Sequence, residues 1–183
     1  HAVGPVGERI RELGVPVEAL GMRRGLPNPF AALRLARLLR RERPALVQTW
    51  MYHADLLGGL AARLAGRIPV VWGVHNTTLE PRASKRLTRW TTRLNARLSG
   101  ALPRRIVCCS QEGLRVHAAL GYREAKMLVI PNGFDTSAFR PDPEARLRLR
   151  REIGAPDAAS VIGMAARFDP LKDHCSFIAA AGL

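Results

Sequence analysis

Residues 105–122 read RIVCCSQEGLRVHAALGY, and this stretch decides the fold. Its first six residues carry the continuous apolar run IVCC (106–109), opened by Ile and Val, as in a parallel strand buried on both faces. Ser110 is suited to cap a helix over 111–120, and Gly121 is suited to close it. A strand followed at once by a capped helix is the repeating unit of an α/β sheet.

The same unit recurs along the chain. The runs at 15–20 (VPVEAL), 45–49 (ALVQT), 69–74 (PVVWGV), 127–131 (MLVIP) and 160–165 (SVIGMA) read as further strands. Helical patterns fill the gaps: 7–13 closed by Gly14, 29–43 stopped by Pro44, and a segment from Asp55 to Gly66. The last of these sets Leu56, Leu60 and Leu64 on one stripe, the expected buried face. Further helices are predicted over 82–99 and 143–153, the latter closed by Gly154. The alternation predicts an α/β fold with a doubly wound parallel sheet. The Pro- and Arg-rich stretch from Arg140 to Asp157 marks a crossing between domains. We expect one domain over 1–140, and a linker with the start of a second over 141–183.

Composition narrows the function classes. The chain has 183 residues, 47% apolar and 24% charged, which suits packed domains rather than disorder. No apolar run nears the roughly 18 residues of a spanning helix. The chain opens on His1 with no basic-then-apolar leader, so an internal piece of a longer protein is expected. Cys108 and Cys109 are adjacent and Cys175 stands apart, a spacing that suits no metal and reads as reduced thiols in a cytoplasmic protein.

Net charge is +14, which favours anionic partners. It is concentrated between 80 and 105, where Arg82, Lys85, Arg86, Arg89, Arg93, Arg97, Arg104 and Arg105 face only Glu80. On a helix over 82–98, Leu87, Trp90, Leu94 and Leu98 form one stripe, with the arginines beside it. Such a helix either packs its Leu stripe on the sheet and solvates its arginines, or docks on an anionic membrane surface. A nucleic-acid module is disfavoured, because aromatics are only 5% and do not interleave with the basic stripe.

Ligands of doubly wound sheets sit outside the carboxyl ends of the strands. The polar residues there are Trp50, Tyr52 and His53; His75 and Asn76; Ser110; Asn132, Gly133 and Asp135; and Arg167 with Lys172. Each has a plainer role as well. His75 and Asn76 could end a strand, Asn132-Gly133 is a turn dipeptide, Ser110 is a helix cap, and the two cations could be solvated. No Ser-His-Asp, HExxH or GxxxxGK[ST] pattern occurs. The Gly58-Gly59 pair falls inside a helical pattern and is no phosphate loop.

The stretches VIPNGFDTSAF (129–139) and RFDPLKDHCSFIAAA (167–181) together resemble the family 4 glycosyltransferases, with their two-domain GT-B fold. VQTWMYHADLLGGLAARLAG (47–66), VVWGVHN (70–76) and IVCCSQEGLRVHAALGY (106–122) are similar to the N-terminal half of the same family, in the same order. The resemblance implies an incomplete Rossmann-like, acceptor-side domain followed by the first βα unit of a donor-binding domain. It implies transfer of a hexosyl-type sugar from a nucleotide-diphosphate sugar to a glycan or lipid-linked acceptor, with retention of configuration. The setting would be polysaccharide or glycolipid synthesis in the cytoplasm, peripheral to the inner membrane face. No metal and no cofactor beyond the sugar donor is expected, and no specific nucleic acid.

Residue by residue, Arg167 and Lys172 match the basic pair on the donor diphosphate, and His75 matches the histidine facing the transferred sugar. Asn132 and Gly133 match a loop lining the cleft, while His53 and Ser110 fall in cleft-facing segments. Two positions depart from the family pattern: Ala166 replaces the usual Gly before the arginine, and Asp173 replaces the Gly after the lysine. The family's Gly-rich first strand is expected before His1 and its pair of donor-binding glutamates beyond Leu183, so this chain alone is expected to be inactive. A nucleotide-sugar epimerase of the same fold is the alternative enzyme class.

Overall fold

The computed structural model describes residues 3–22, 29–76 and 86–182. In chain order these form α1 (Pro5–Glu12), α2 (Pro29–Glu42), β1 (Val47–Trp50), α3 (Tyr52–Leu64), β2 (Val70–Val74), α4 (Arg86–Leu98), β3 (Arg105–Cys108), α5 (Gln111–Ala119), β4 (Met127–Val129), α6 (Pro143–Glu152) and α7 (His174–Ala181). Short 3₁₀ turns cover Glu124–Lys126 and Pro170–Lys172. The chain divides into two compact units, His1–Asn132 and Gly133–Leu183.

The first unit holds a four-stranded sheet in the order β1-β2-β3-β4, every neighbouring pair parallel. In register, Thr49 lies beside Trp72, Trp72 beside Ile106, and Ile106 beside Met127. α2, α3 and α4 pack in a row, α3 lies on β1 and β2, and α5 lies on β3 and β4. The core is Ala36, Leu39, Tyr52, Ala61, Ala62, Val70, Trp72, Val74, Ala96, Ile106, Cys108 and Tyr122. Continuous apolar runs predicted strands buried on both faces. Among the described residues only one face is closed: Thr49, Trp72, Val74, Ile106 and Cys108 are buried, whereas Gln48 and Trp50 are exposed and Val71 and Val107 half-buried.

Two expected strands do not form. Residues 15–20 and 160–165 lie outside regular structure, with Val15, Val161, Ile162 and Met164 all exposed. A strand exists only through the ladder it shares with a neighbour. Among the described residues the sheet runs only from β1 to β4, and neither segment joins it.

The helices form where expected but turn different faces inward. α3 buries Tyr52, Asp55, Gly58, Gly59, Ala61 and Ala62 and leaves Leu60 and Leu64 exposed. The reason is close approach to the sheet. A Cβ on Gly58 would stand 2.4 Å from Thr49 Cγ2, and one on Gly59 would stand 3.2 Å from Leu102 Cδ1 and 3.3 Å from Trp72 Nε1. At such separations only small residues fit, and the leucine stripe is displaced outward. α4 behaves alike: it buries Thr91, Thr92, Asn95 and Ala96 and leaves Leu87 and Trp90 exposed. Residues 82–85 of that predicted helix lie outside the described residues. Gly121 closes α5 at φ 92°, a backbone region that L side chains rarely adopt.

The second unit comprises α6, the Pro170–Lys172 turn and α7. Asp142 caps α6 by accepting from Ala145 N–H at 2.9 Å, and Pro143 opens its first turn. Arg150 is buried on α6 and donates to the carbonyls of Asp157 and Ala159, holding the loop back on the helix.

Candidate active site at the strand ends

Four parallel strands end at one edge of the sheet, and each hands its chain to a loop or a helix there. The ladder continues one residue past three of them: Met51 N–H donates to Gly73 O (3.0 Å), Cys109 N–H to Val74 O (3.3 Å) and Ile130 N–H to Cys108 O (3.0 Å). The segments that follow are therefore held at fixed spacing. His53 sits in the first turn of α3, directly after β1, and His75 directly after β2; both are exposed. Ser110 follows β3 as the cap of α5, its Oγ accepting from Gly113 N–H at 3.0 Å. The sheet thus brings His53, His75 and Ser110 to one edge. Asn132, exposed, follows β4 at the end of the same unit. Both α3 and α5 begin at this edge, so partial positive charge from their unpaired N–H groups faces it.

A buried polar layer supports these loops. Tyr52 Oη and His117 Nε2 are 2.9 Å apart, and His117 Nδ1 is 2.7 Å from Gly113 O. The carbonyl can only accept, so Nδ1 carries the proton and Nε2 accepts from the Tyr52 hydroxyl. Asn95 Nδ2 donates to Tyr52 O at 2.8 Å. Burial pushes the Tyr52 hydroxyl up to about 12, while a hydrogen bond with the Asn76 side chain works the other way. Burial also pushes the His117 imidazole below its ordinary value, against a smaller upward pull from Gly113 O. Tyr52, Asn76 and Gly113 stand next to, or cap with, His53, His75 and Ser110. One network therefore ties the three strand-end loops together.

Asp55 completes the layer. It is fully buried and its Oδ1 accepts from Thr49 Oγ1 at 2.5 Å, joining α3 to β1. Burial raises its carboxyl to about 7, against hydrogen bonds from Thr49 and the Gly73 backbone that lower it. Sequence reading took Asp55 for a helix start and passed over His117 and Asn95. The available signal was position: His117 falls four residues after Gly113, on the face of α5 that meets the sheet.

In the second unit, Arg167 and Lys172 lie five positions apart on one loop and 3₁₀ turn, both exposed. Lys172 N–H donates to Asp169 O at 2.9 Å, closing the turn. Asp173, at φ 50°, caps α7 through Ser176 N–H. Asp173 thus combines a left-handed backbone with a helix cap. Gly133 opens this unit, and Asp135 folds the next residues into a turn by accepting from Ser137 N–H (2.9 Å) and Ala138 N–H (3.2 Å).

The sequence profile of glycosyltransferase family 4 matches residues 3–138. The chain belongs to glycosyltransferase family 4. Its relatives include an Escherichia coli enzyme named UDP-Gal:alpha-D-GlcNAc-diphosphoundecaprenol alpha-1,3-galactosyltransferase, 29% identical over 153 residues, which are 81% of this chain and 38% of that protein. Among solved structures, Anabaena HepE in complex with UDP-glucose superposes with a TM-score of 0.79 at 23% identity, over 98% of this chain and 47% of that one. HepE with UDP and glucose gives 0.77 at 20% identity, over 98% and 48%. The family 4 chain thus shares the fold of a GT-B glycosyltransferase and spans less than half the length of these relatives. No described helix of it is long and apolar enough to cross a membrane.

Proposed function

We propose that this chain forms the acceptor side and the beginning of the donor side of a retaining glycosyltransferase. The enzyme would move a hexosyl-type sugar from a nucleotide-diphosphate sugar to a glycan or lipid-linked acceptor. Residues 1–140 serve the acceptor, and 141–183 form the linker and the start of the donor-binding domain. The reading rests on one observation above others: in a family 4 chain, His53, His75 and Ser110 stand together at the carboxyl edge of the parallel sheet. In this reading His75 faces the transferred sugar, and Asn132 and Gly133 line the cleft. Arg167 and Lys172 offset charge that grows on the diphosphate as its bond to the sugar breaks.

The decisive assay uses a protein that carries this chain at the full length of its relatives, with UDP-galactose and UDP-glucose as donors. Arg167→Ala and Lys172→Ala are each expected to lower kcat by about 10²-fold, the usual cost of removing one fixed donor from a developing anion. Unchanged kcat in both variants would overturn the assignment of the basic pair.

We infer further that α4 docks on an anionic membrane surface in the lipid-linked setting. Trp90 is 60% exposed, and Leu87, Arg86, Arg93 and Arg97 are exposed around it. An uncovered indole ringed by arginines suits the headgroup region, where each cation contributes about 1 kcal/mol. Flotation with vesicles containing phosphatidylglycerol is expected to carry the chain upward and to fail after Arg86→Glu, Arg93→Glu and Arg97→Glu together. Equal flotation of that triple variant would refute the docking.

A further inference from the structure

The opposite edge of the sheet, where β2 and β3 begin, carries a concavity of about 310 Å³. Four cations line it: Arg63 from the last turn of α3, Arg67 beyond Gly66, Arg104 before β3 and Lys126 before β4. No carboxylate lines it. The ion pairs formed among the described residues join Arg11 to Glu8, Arg41 to Glu18 and Glu42, and Arg115 to Glu112, and none draws on these four cations.

The four cations have different tasks. Lys126 Nζ donates to Gly100 O at 2.6 Å and Pro103 O at 2.7 Å, so it pins the wall formed by 100–103. Arg104 N–H donates to Val70 O at 2.7 Å, which fixes the backbone from which its side chain leaves. One cation at the end of α3 is ordinary compensation for the helix dipole, and Arg63 fills that role. Arg67 and Arg104 lie outside any helix, and that explanation does not reach them. Arg67 is moreover held in the left-handed region, at φ 63°.

Behind the wall lies another unused donor. Trp72 Nε1 is buried without a hydrogen-bond partner, 3.3 Å from where a Cβ on Gly59 would stand, and Gly59 is part of the lining. Positive groups therefore converge on this concavity from α3, from the loop before β3 and from the turn before β4. Burial lowers the Lys126 ammonium below its ordinary value, with further lowering from Arg105, Arg123 and Arg104, which shows how closely the charges crowd.

We propose that this concavity binds a phosphate-bearing anion through Arg63, Arg67 and Arg104, at the sheet edge away from the candidate active site. Guanidinium forks match phosphate oxygens in pairs, and three exposed arginines around an open concavity suit a phosphate monoester or a diphosphate. The volume is at the small end of ligand sites and suits a head group better than an entire nucleotide sugar. Free phosphate compounds and phospholipid head groups present the same chemistry.

The test titrates the 183-residue chain at low salt with pyrophosphate, and separately with phosphatidylcholine vesicles containing phosphatidic acid. Backbone amide shifts report the place, and calorimetry reports the affinity. Saturable binding is expected, with shifts at Arg63, Arg67 and Arg104 and an affinity loss of about tenfold or more in Arg63→Gln/Arg104→Gln. Arg115→Gln, a surface control elsewhere, is expected to bind as the parent does, and circular dichroism checks that each variant folds. Binding of pyrophosphate identifies a free ligand, and vesicle binding without pyrophosphate binding identifies a lipid head group only where Arg63→Gln/Arg104→Gln weakens it, since α4 also meets anionic vesicles. If neither binds, or if the double variant binds whatever the parent binds with the parent's affinity, the proposal is overturned.

Discussion

The two compact units handle apolar sequence in opposite ways. In the first, Trp72, Val70, Val74 and Ile106 are each at most 2% exposed, sealed between the sheet and helices α3 to α5. In the second, the run VIGMA (161–165) is just as apolar, yet Ile162 is 79% and Phe168 97% exposed. The difference lies in the neighbours, not the residues. β2 is paired on both sides by β1 and β3, whereas 160–165 has no described partner strand. Hydrophobic sequence becomes structure only where another element removes it from water.

The comparison breaks first at Trp72. Trp72→Ala removes the largest fully buried side chain and is expected to cost about 3–5 kcal/mol in urea unfolding of the chain. A cost below about 1 kcal/mol would mean that the first unit is not sealed as described.

Asp55 sharpens it next. Its carboxyl titrates near 7 in the folded chain and near its ordinary 3.8 when unfolded. Between those values the unfolded chain gives up the proton while the folded chain keeps it. Stability contributed by the protonated group is therefore full below about pH 4 and is lost as pH rises to about 7. Asp55→Asn, which cannot ionise, is expected to gain on the parent across that window by up to about 4 kcal/mol. A difference that stays flat with pH would contradict the buried carboxyl. Phe168 gives the smallest effect: Phe168→Ser is expected to change stability by less than about 0.5 kcal/mol, because the ring is already in water.

How much of this could be read from the sequence follows from the same comparison. RIVCCS followed by a serine cap and a helix ended by Gly121 was legible because each signal is local. So was the parallel sheet, and so was the placement of His53, His75 and Ser110 after strands. The strands at 15–20 and 160–165 were misread because a strand depends on a partner that local pattern cannot supply. The buried faces of α3 and α4 were misread because leucines usually mark the core. α3 lies too near Thr49 and Trp72 for them, so glycine and alanine take its inner positions, while α4 packs against α3 and turns Thr91, Thr92, Asn95 and Ala96 inward. The Tyr52–His117–Gly113 tie joins residues 65 positions apart and leaves no local mark.

The most direct test of the proposed chemistry is the anomeric configuration of the product. A protein carrying this chain at its relatives' full length would be given a nucleotide-diphosphate sugar labelled at C1 and a lipid-linked acceptor. The ¹H–¹³C coupling at C1 would then be read by NMR. An α-glycoside from an α-linked donor is the expected result. A β-glycoside, or an isomerised donor with no glycoside formed, would contradict a retaining glycosyltransferase.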